Sequence, residues 1–409
     1  MRYGLLGEKL SHSYSPQIHS RLADYDYALF EVAHEDLDGF MRNADFDGIN
    51  VTIPYKKAVI PYCKTLSAQA ERLGAVNTIV KQPDGSLLGH NTDYFGFLTM
   101  LNSCNIDPKD KKALVLGTGG AGITACAVLE DLGADVISVS RGGENNYQNI
   151  TNHSDASILV NATPIGMYPN CGISPVDLDS LPKLECVLDM IYNPACTRLF
   201  MDAEKRSITV QNGLSMLVAQ AKESSQWFTG CSLPDSVIAP IVHELKSQMK
   251  NVILIGMPGC GKSTLGKLLA EGLDKRFVDA DACIVEKAGK SIPDIFAEDG
   301  EDAFRDLEAE VLADLGKQSS LVIATGGGCV TRRDNYDSLH QNGTILWIKR
   351  DVSRLPTDGR PLSQTGRLEV MYKAREPLYR AFADASINND ATIDAALEAL
   401  TQALKETNL

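Results

Sequence analysis

Two stretches decide the fold: Lys112-Ala113-Leu114-Val115-Leu116-Gly117-Thr118-Gly119-Gly120-Ala121-Gly122, and Asn251-Val252-Ile253-Leu254-Ile255-Gly256-Met257-Pro258-Gly259-Cys260-Gly261-Lys262-Ser263. Each is a short apolar run that ends in a glycine-rich turn and passes into a helical stretch. A strand that hands its backbone to such a turn points amide N–H groups and a helix N-terminus at one spot, which suits the phosphates of a nucleotide. The turns differ in pattern. The first reads G-x-G-x-x-G, a dinucleotide turn, and the second G-x-x-x-x-G-K-S, a P-loop. No internal repeat relates them, so the chain is read as two different α/β nucleotide folds in tandem.

Length and composition fit that reading. At 409 residues the chain has room for two or three domains. Its 44% hydrophobic and 22% charged content is that of globular protein, which excludes collagen-like, disordered and membrane-embedded classes. Acidic residues outnumber basic ones by 53 to 39, and both halves share the excess, whereas a binder of nucleic-acid backbone would be basic. The ten cysteines are scattered without a C-x-x-C pair, as expected of reduced thiols. Met1-Arg2-Tyr3-Gly4-Leu5-Leu6-Gly7 lacks a signal peptide's apolar stretch, and no run approaches the roughly 18 apolar residues of a membrane span. The expectation is a soluble cytoplasmic protein with neither nucleic acid nor membrane as partner. Oligomeric state is left open.

Around the P-loop, Gly256, Gly259 and Gly261 let the backbone curl round phosphates, Lys262 reaches the β- and γ-phosphates, and the Ser263 hydroxyl is placed to ligate magnesium, with Thr264 beside it. Phe277-Val278-Asp279-Ala280-Asp281 is a β-end tipped by two alternate acids, either a plain strand end or a pair facing the nucleotide. Arg305 and Glu308 fall one helical turn apart, so that the acid can orient the guanidinium or the two can form a surface pair. Gly326-Gly327-Gly328 ends another apolar run and allows close backbone approach.

With Ser291-Ile292-Pro293-Asp294-Ile295-Phe296, Phe304-Arg305, Arg360-Pro361-Leu362 and Arg375-Glu376-Pro377-Leu378-Tyr379 added, residues 251–409 resemble shikimate kinase. The resemblance implies ATP and Mg2+ as cofactors. It makes Asp279, with Ser263, a holder of magnesium through water, and Asp281 the group that meets the substrate hydroxyls as base. Arg305 and Arg375 become a clamp on the shikimate carboxylate, a task suited to guanidinium forks, with Gly327 and Gly328 beside the substrate. Lys262 and the lid residue Arg360 neutralise the phosphoryl group in transfer, and Arg354 contacts the nucleotide base. Ser363 departs from the second leucine common in the family, and the lid is compact.

In the first half, the run Asp135-Val136-Ile137-Ser138-Val139-Ser140 ends in Arg141, where an NAD fold would place an acid for the ribose hydroxyls. Arginine there favours the 2′-phosphate of NADP, while Glu144 keeps NAD open. Three polar clusters stand apart from the apolar pattern: Ser11-His12-Ser13-Tyr14-Ser15-Pro16, Asn50-Val51-Thr52-Ile53-Pro54-Tyr55-Lys56 and Asn91-Thr92-Asp93. Together they offer a lysine, an acid, amides and hydroxyls to a polyhydroxylated acid.

Those clusters, with Gly74-Ala75-Val76-Asn77-Thr78, Asn161-Ala162-Thr163, Asp189-Met190-Ile191-Tyr192-Asn193-Pro194 and Gly213 to Gln220, resemble shikimate dehydrogenase over residues 1 to 248. The resemblance implies a catalytic pair of Lys56 and Asp93 and substrate contacts from Ser13, Ser15, Asn50, Thr52, Asn77, Tyr192 and Gln220. It implies NADP(H) held by Gly117, Gly119, Gly120, Gly122, Arg141 and Gly213. Serine rather than threonine at Ser15 leans to shikimate over quinate. Ser140-Arg141-Gly142 departs from the family's usual Asn-Arg-Thr. Only 19 residues separate Arg141 from Asn161, where the family carries another strand-helix unit, so the adenosine side is expected to be trimmed.

The expected architecture is α/β throughout. A discontinuous substrate-binding domain (1–96 and 213–248) encloses a Rossmann NADP domain (97–212), and a P-loop, nucleoside-monophosphate-kinase-like α/β domain follows (251–409). The expected function is bifunctional: NADPH-dependent reduction of 3-dehydroshikimate to shikimate, then ATP-dependent phosphorylation to shikimate 3-phosphate. The alternatives are a quinate dehydrogenase fused to a kinase, and a metabolite-sensing regulator built from the two, which would be expected to have lost catalytic groups that this chain retains.

Overall fold

The computed structural model describes residues 2–10, 13–355 and 367–407. Three sheets organise them. The first comprises β1 (Tyr3–Gly7), β2 (Tyr27–Glu31), β3 (Gly48–Val51), β4 (Thr65–Leu66), β5 (Thr78–Lys81) and β6 (Leu87–His90), in the order β2-β1-β3-β5-β6-β4. It is mixed: β1 runs parallel to β2 and β3, while β5 runs antiparallel to β3 and β6. β1 and β3 are buried along their whole length, which is why their sequences, YGLLG and GINV, show no polar alternation.

The second sheet is all parallel, with β7 (Lys112–Leu116), β8 (Asp135–Val139), β9 (Ile158–Asn161), β10 (Cys186–Asp189) and β11 (Thr209–Asn212) in the order β11-β10-β9-β7-β8. A full dinucleotide fold places one more strand outside the second. Here β8 is the edge, and residues 140–157 hold only a 3₁₀ turn, Ile150–His153. The trimming expected from the short spacing is therefore the loss of an outer strand and its helix.

The third sheet is also parallel: β12 (Asn251–Ile255), β13 (Arg276–Asp279), β14 (Leu321–Ala324), β15 (Gly343–Lys349) and β16 (Ala385–Asn388), in the order β13-β14-β12-β15-β16. The P-loop strand β12 lies at its centre, and four of the five strands carry Val, Ile or Leu into one apolar core, β13 giving it Phe277 and Val278 at the edge. Lys250 alone separates helix Ile238–Met249 from β12, so the two halves are joined by a helix end and a turn.

The chain divides into two compact units rather than three. The first holds Met1–Ile165, Ser174–Tyr192 and Asp202–Leu245, and so both of the first two sheets; the second holds Gly166–Ile173, Asn193–Met201 and Lys246–Leu409. The expected boundary at 96/97 falls inside helix Asp93–Asn102. That helix begins at the polar cluster, but Phe97, Met100 and Leu101 belong to the core of the second sheet, beside Val115, Val128 and Val160. Two short segments expected within 97–212 count with the second unit.

All ten cysteines are free thiols. Among the described residues no helix is long and apolar enough to cross a membrane.

Two buried histidines of the first unit give it a defined response to acid. His19 stacks on Tyr27 with ring centroids 3.9 Å apart, and burial pushes its pKa down to about 3. His90 stacks on Trp227 at 3.6 Å, and burial takes it down to about 4. Both are neutral in the fold, whereas the unfolded chain protonates them at about 6.5. Between those values the unfolded state binds more protons, so stability falls as pH is lowered from about 6.5 towards 4. Thermal melts across that window should show a falling Tm, with a shallower slope for His90→Gln; a Tm independent of pH would contradict the burial of neutral imidazoles.

Candidate functional site

In the first unit a cavity of about 700 Å³ is lined by Ser13, Ser15, Asn50, Thr52, Lys56, Asn77, Asp93, Tyr192, Gly213 and Gln220, together with Lys9, Ala121 and Met216. Residues from the three sequence clusters and from three later segments thus meet on one surface. At its side the Lys56 Nζ donates to Asp93 Oδ2 over 2.6 Å. Lys56 sits in the turn after β3, and Asp93 opens the helix that follows β6. The Asp93 side chain is mostly covered and that of Lys56 about three-quarters covered, which keeps the pair facing the cavity rather than bulk water.

Asn50 is fixed from behind. Its amide donates to Ser224 Oγ (2.7 Å), Thr78 Oγ1 (3.0 Å) and the Asn77 carbonyl (3.3 Å), and its Oδ1 accepts from Tyr27 OH (2.7 Å). Asn77 is held in turn, accepting the Thr92 N–H at 2.8 Å on Oδ1. Burial with every polar atom paired sets these amides in one pose. Ser15 N–H donates to Ser13 Oγ (3.2 Å), and the Gln220 amide donates to the Leu217 carbonyl (2.9 Å). Tyr192 lies edge-on to Tyr14.

The dinucleotide turn follows β7 and enters helix Gly120–Asp131. A Cβ on Gly122 would lie 2.0 Å from the Gly117 carbonyl oxygen, so the tight turn admits only glycine there. Beside Gly119 and Gly120 nothing lies within 4 Å of an added Cβ, which leaves the helix N-terminus open. Gly117 and Gly122 line a cavity of about 320 Å³ with Thr118 and Ser138. Arg141 is exposed just beyond β8 and does not line it.

In the second unit Gly256, Gly259 and Gly261 all have positive φ, as a curled loop needs. Lys262 opens helix Lys262–Gly272, and its Nζ donates to the Gly256 and Met257 carbonyls at 2.9 and 3.0 Å. Ser263 Oγ donates to Asp279 Oδ2 at 2.7 Å, while Asp279 Oδ1 accepts the Asp281 N–H and caps the next helix. A hydroxyl and a carboxylate at hydrogen-bond distance are the hard oxygen donors that a magnesium ion with its waters takes. Thr264 is exposed beside them, and Arg354 donates to the Asp390 carbonyl.

Arg305 is buried, donating to Glu308 Oε2 at 2.7 Å and to Glu301 Oε1 at 3.2 Å. Burial pulls its pKa down, but Glu308 and Glu301 more than restore it, so it stays firmly cationic. Burial raises the Glu308 carboxyl, Asp281 adds to that, and Arg305 opposes it. A Cβ on Gly328 would stand 2.2 Å from Arg305 Nη1, so Gly328 leaves room for this guanidinium. Arg375 donates to the Gly327 carbonyl at 3.2 Å, as does Tyr379 OH. Arg360 lies outside the described residues.

Sequence reasoning missed Lys9, the Tyr27–Thr78–Ser224 shell behind Asn50, and Asn389, whose amide donates to the Cys260 carbonyl at 2.8 Å and braces the P-loop. None has a local signal. Serine inside a helix and asparagine after a strand are commonplace.

Two families match the chain: shikimate kinase over residues 258–405, and the shikimate dehydrogenase substrate binding domain over residues 5–79. The chain is 37% identical over 269 residues to the NADP(+) shikimate dehydrogenase of Clostridium beijerinckii, covering 61% of this chain and 99% of that protein. Among solved structures it is similar to shikimate dehydrogenase 1 of Peptoclostridium difficile, at 38% identity and TM-score 0.55, covering 60% of this chain and 97% of that one. It is also similar to the Thermus thermophilus shikimate 5-dehydrogenase in complex with NADP(H) and shikimate, at 29% identity and TM-score 0.55, covering 60% and 99%.

The shell behind Asn50 makes a direct prediction. Asn50→Ala removes four buried hydrogen bonds and takes from Tyr27 OH its Asn50 acceptor, while Thr78 and Ser224 keep each other, so it should cost about 3 kcal/mol of stability. Ser224→Ala leaves Asn50 its other acceptors and should cost about 1 kcal/mol. Urea denaturation of both variants measures the difference, and equal small losses would show that the shell is not holding the amide.

Proposed function

Because the chain belongs to the shikimate dehydrogenase family and carries a shikimate kinase domain after it, making it a bifunctional enzyme of the shikimate pathway, we propose how its own residues divide the work. Nothing found favours a non-catalytic regulator. On this reading 1–96 with 213–248 binds 3-dehydroshikimate, 97–212 binds NADP(H), and 251–409 phosphorylates the product. The observation that carries the reading is the Lys56–Asp93 pair, 2.6 Å apart on the wall of a cavity otherwise lined by hydroxyls and amides.

NADPH supplies the hydride when bound, and magnesium ATP the phosphoryl group. Asp93 holds the Lys56 ammonium in place, and Lys56 donates a proton to the oxygen of the ketone as it gains negative charge. Asn50, Thr52, Asn77 and Gln220 orient the ring hydroxyls, while Ser13, Ser15 and Tyr192 face the carboxylate end. The open N-terminus of helix Gly120–Asp131 receives the pyrophosphate, with Gly213 beside the nicotinamide and Arg141 towards the 2′-phosphate. The missing outer strand shortens the adenosine side of that site, so the 2′-phosphate contact rests on Arg141 alone.

In the second unit Arg305 and Arg375 clamp the shikimate carboxylate, and Asp281 accepts the proton of the attacking C3 hydroxyl. Lys262 neutralises the phosphates once it turns from the loop carbonyls, and Arg360 closes the site. The Ser263 hydroxyl would ligate magnesium, and Asp279 would hold its waters. The order has chemical sense, since the hydroxyl made by reduction in the first unit is the nucleophile of the second. Ten free thiols suit a reducing cytoplasm.

Incubation with 3-dehydroshikimate, NADPH, ATP and Mg2+ should yield shikimate 3-phosphate with equal consumption of both nucleotides. Lys56→Ala should lower the reduction at least about 10²-fold and spare phosphorylation of added shikimate, and Asp281→Asn should do the reverse. Loss of both activities from either change would sink the assignment.

A further inference from the structure

The first cavity has a charge to be accounted for. Its charged lining residues are Lys9, Lys56 and Asp93. Lys56 and Asp93 neutralise one another at 2.6 Å, so the pair offers no net charge to an incoming anion. The substrate proposed above is a carboxylate, which loses hydration on entering a cavity and needs compensation there. Hydroxyls such as those of Ser13 and Ser15 donate hydrogen bonds but bring no charge.

We propose that Lys9 is the residue that recognises the substrate's carboxylate in the first unit and sets its preference for acids over uncharged polyols. The inference rests on the dehydrogenase reading above. Lys9 lies two residues past the end of β1, ahead of Ser13 and of Ser15, which opens the next helix (Ser15–Leu22), and all three line the same cavity. Ser13 N–H donates to the Leu10 carbonyl at 3.0 Å, folding the loop back so that both of its ends face inward. Glu31 accepts the Leu10 N–H at 2.7 Å on Oε1 and forms no ion pair with Lys9. Among the described residues the Lys9 ammonium forms no ion pair and no hydrogen bond. Its side chain is exposed at the rim, where a flexible stem lets the ammonium close on a carboxylate after the substrate enters.

Steady-state oxidation of shikimate and of its methyl ester by NADP+ tests this with Lys9→Met and Lys9→Arg. For Lys9→Met the KM for shikimate should rise roughly tenfold with kcat within about threefold, as loss of one charge-assisted contact requires. The KM for the ester, which has no charge to meet, should change by less than about twofold, and Lys9→Arg should restore most of the affinity for the acid. In the wild type the KM for shikimate should rise with salt, and in Lys9→Met that dependence should flatten. An unchanged KM for shikimate, an equal rise for acid and ester, or a salt dependence that survives in Lys9→Met would overturn the role of Lys9 while leaving the enzyme a dehydrogenase. Failure of the wild type to oxidise shikimate would instead overturn the functional reading and this inference with it.

Discussion

The hydrogen bond from Asn50 to Ser224 joins residues 174 positions apart, and the first unit depends on it. Asn50 belongs to β3, Ser224 to helix Leu214–Thr229, and the whole dinucleotide-binding sheet lies between them in sequence. Closing so long a loop has an entropic cost that grows only slowly with length, so a few buried contacts suffice to offset it. Thr78 and Thr92 also bond to Ser224, which ties the ends of β3, β5 and β6 to one helix face. Those strand ends present Asn50, Asn77 and Asp93, so a discontinuous chain yields one continuous wall.

Both nucleotide turns solve a different problem, that of bringing backbone close to phosphate. In the first, Gly122 sits where any Cβ would strike the Gly117 carbonyl. In the second, Gly256 has no room either, with the Ile348 carbonyl oxygen 2.5 Å from where its Cβ would be. In each case the turn follows an interior parallel strand, at the carboxyl edge of the sheet, where open α/β sheets take their ligands. Contacts from backbone to phosphate tolerate loss of an outer strand, because β7 and its turn stay in place when the sheet ends at β8. On the proposed reading that loss removes surface for the adenosine, beside an exposed Arg141.

This division explains what could be read from the sequence. Glycine spacing after an apolar run is a local signal with a steric cause, so both turns and the α/β class with largely parallel sheets were legible, whereas the antiparallel β5 of the first sheet was not. The short stretch after Arg141, set against the family's usual strand-helix unit there, announced the missing strand. The Lys56–Asp93 pair was visible only through resemblance, since 37 residues of separation carry no period. The expected boundary near 96 falls within one helix, because Asn91-Thr92-Asp93 reads as substrate machinery while Phe97, Met100 and Leu101 after it pack into the core of the second sheet. Lys9 was missed for the opposite reason. A lysine in a loop is ordinarily solvated surface, and only the shape of the cavity distinguishes this one.

On the proposed reading the net charge of −14 sets the last constraint, because a negative protein would have to attract carboxylates and phosphates by short-range means. Both units meet it with the same device. One cation is locked by an acid, Lys56 by Asp93 and Arg305 by Glu308, and so gives geometry without net charge. A second cation forms no ion pair among the described residues: Arg375 donates to the Gly327 carbonyl, and Lys9 stands at the rim. The locked member cannot attract an anion strongly, since its field is cancelled within a few ångströms, and the loose member cannot orient one precisely. A site that must do both at short range needs the two together, and the requirement follows from electrostatics whichever fold supplies the residues.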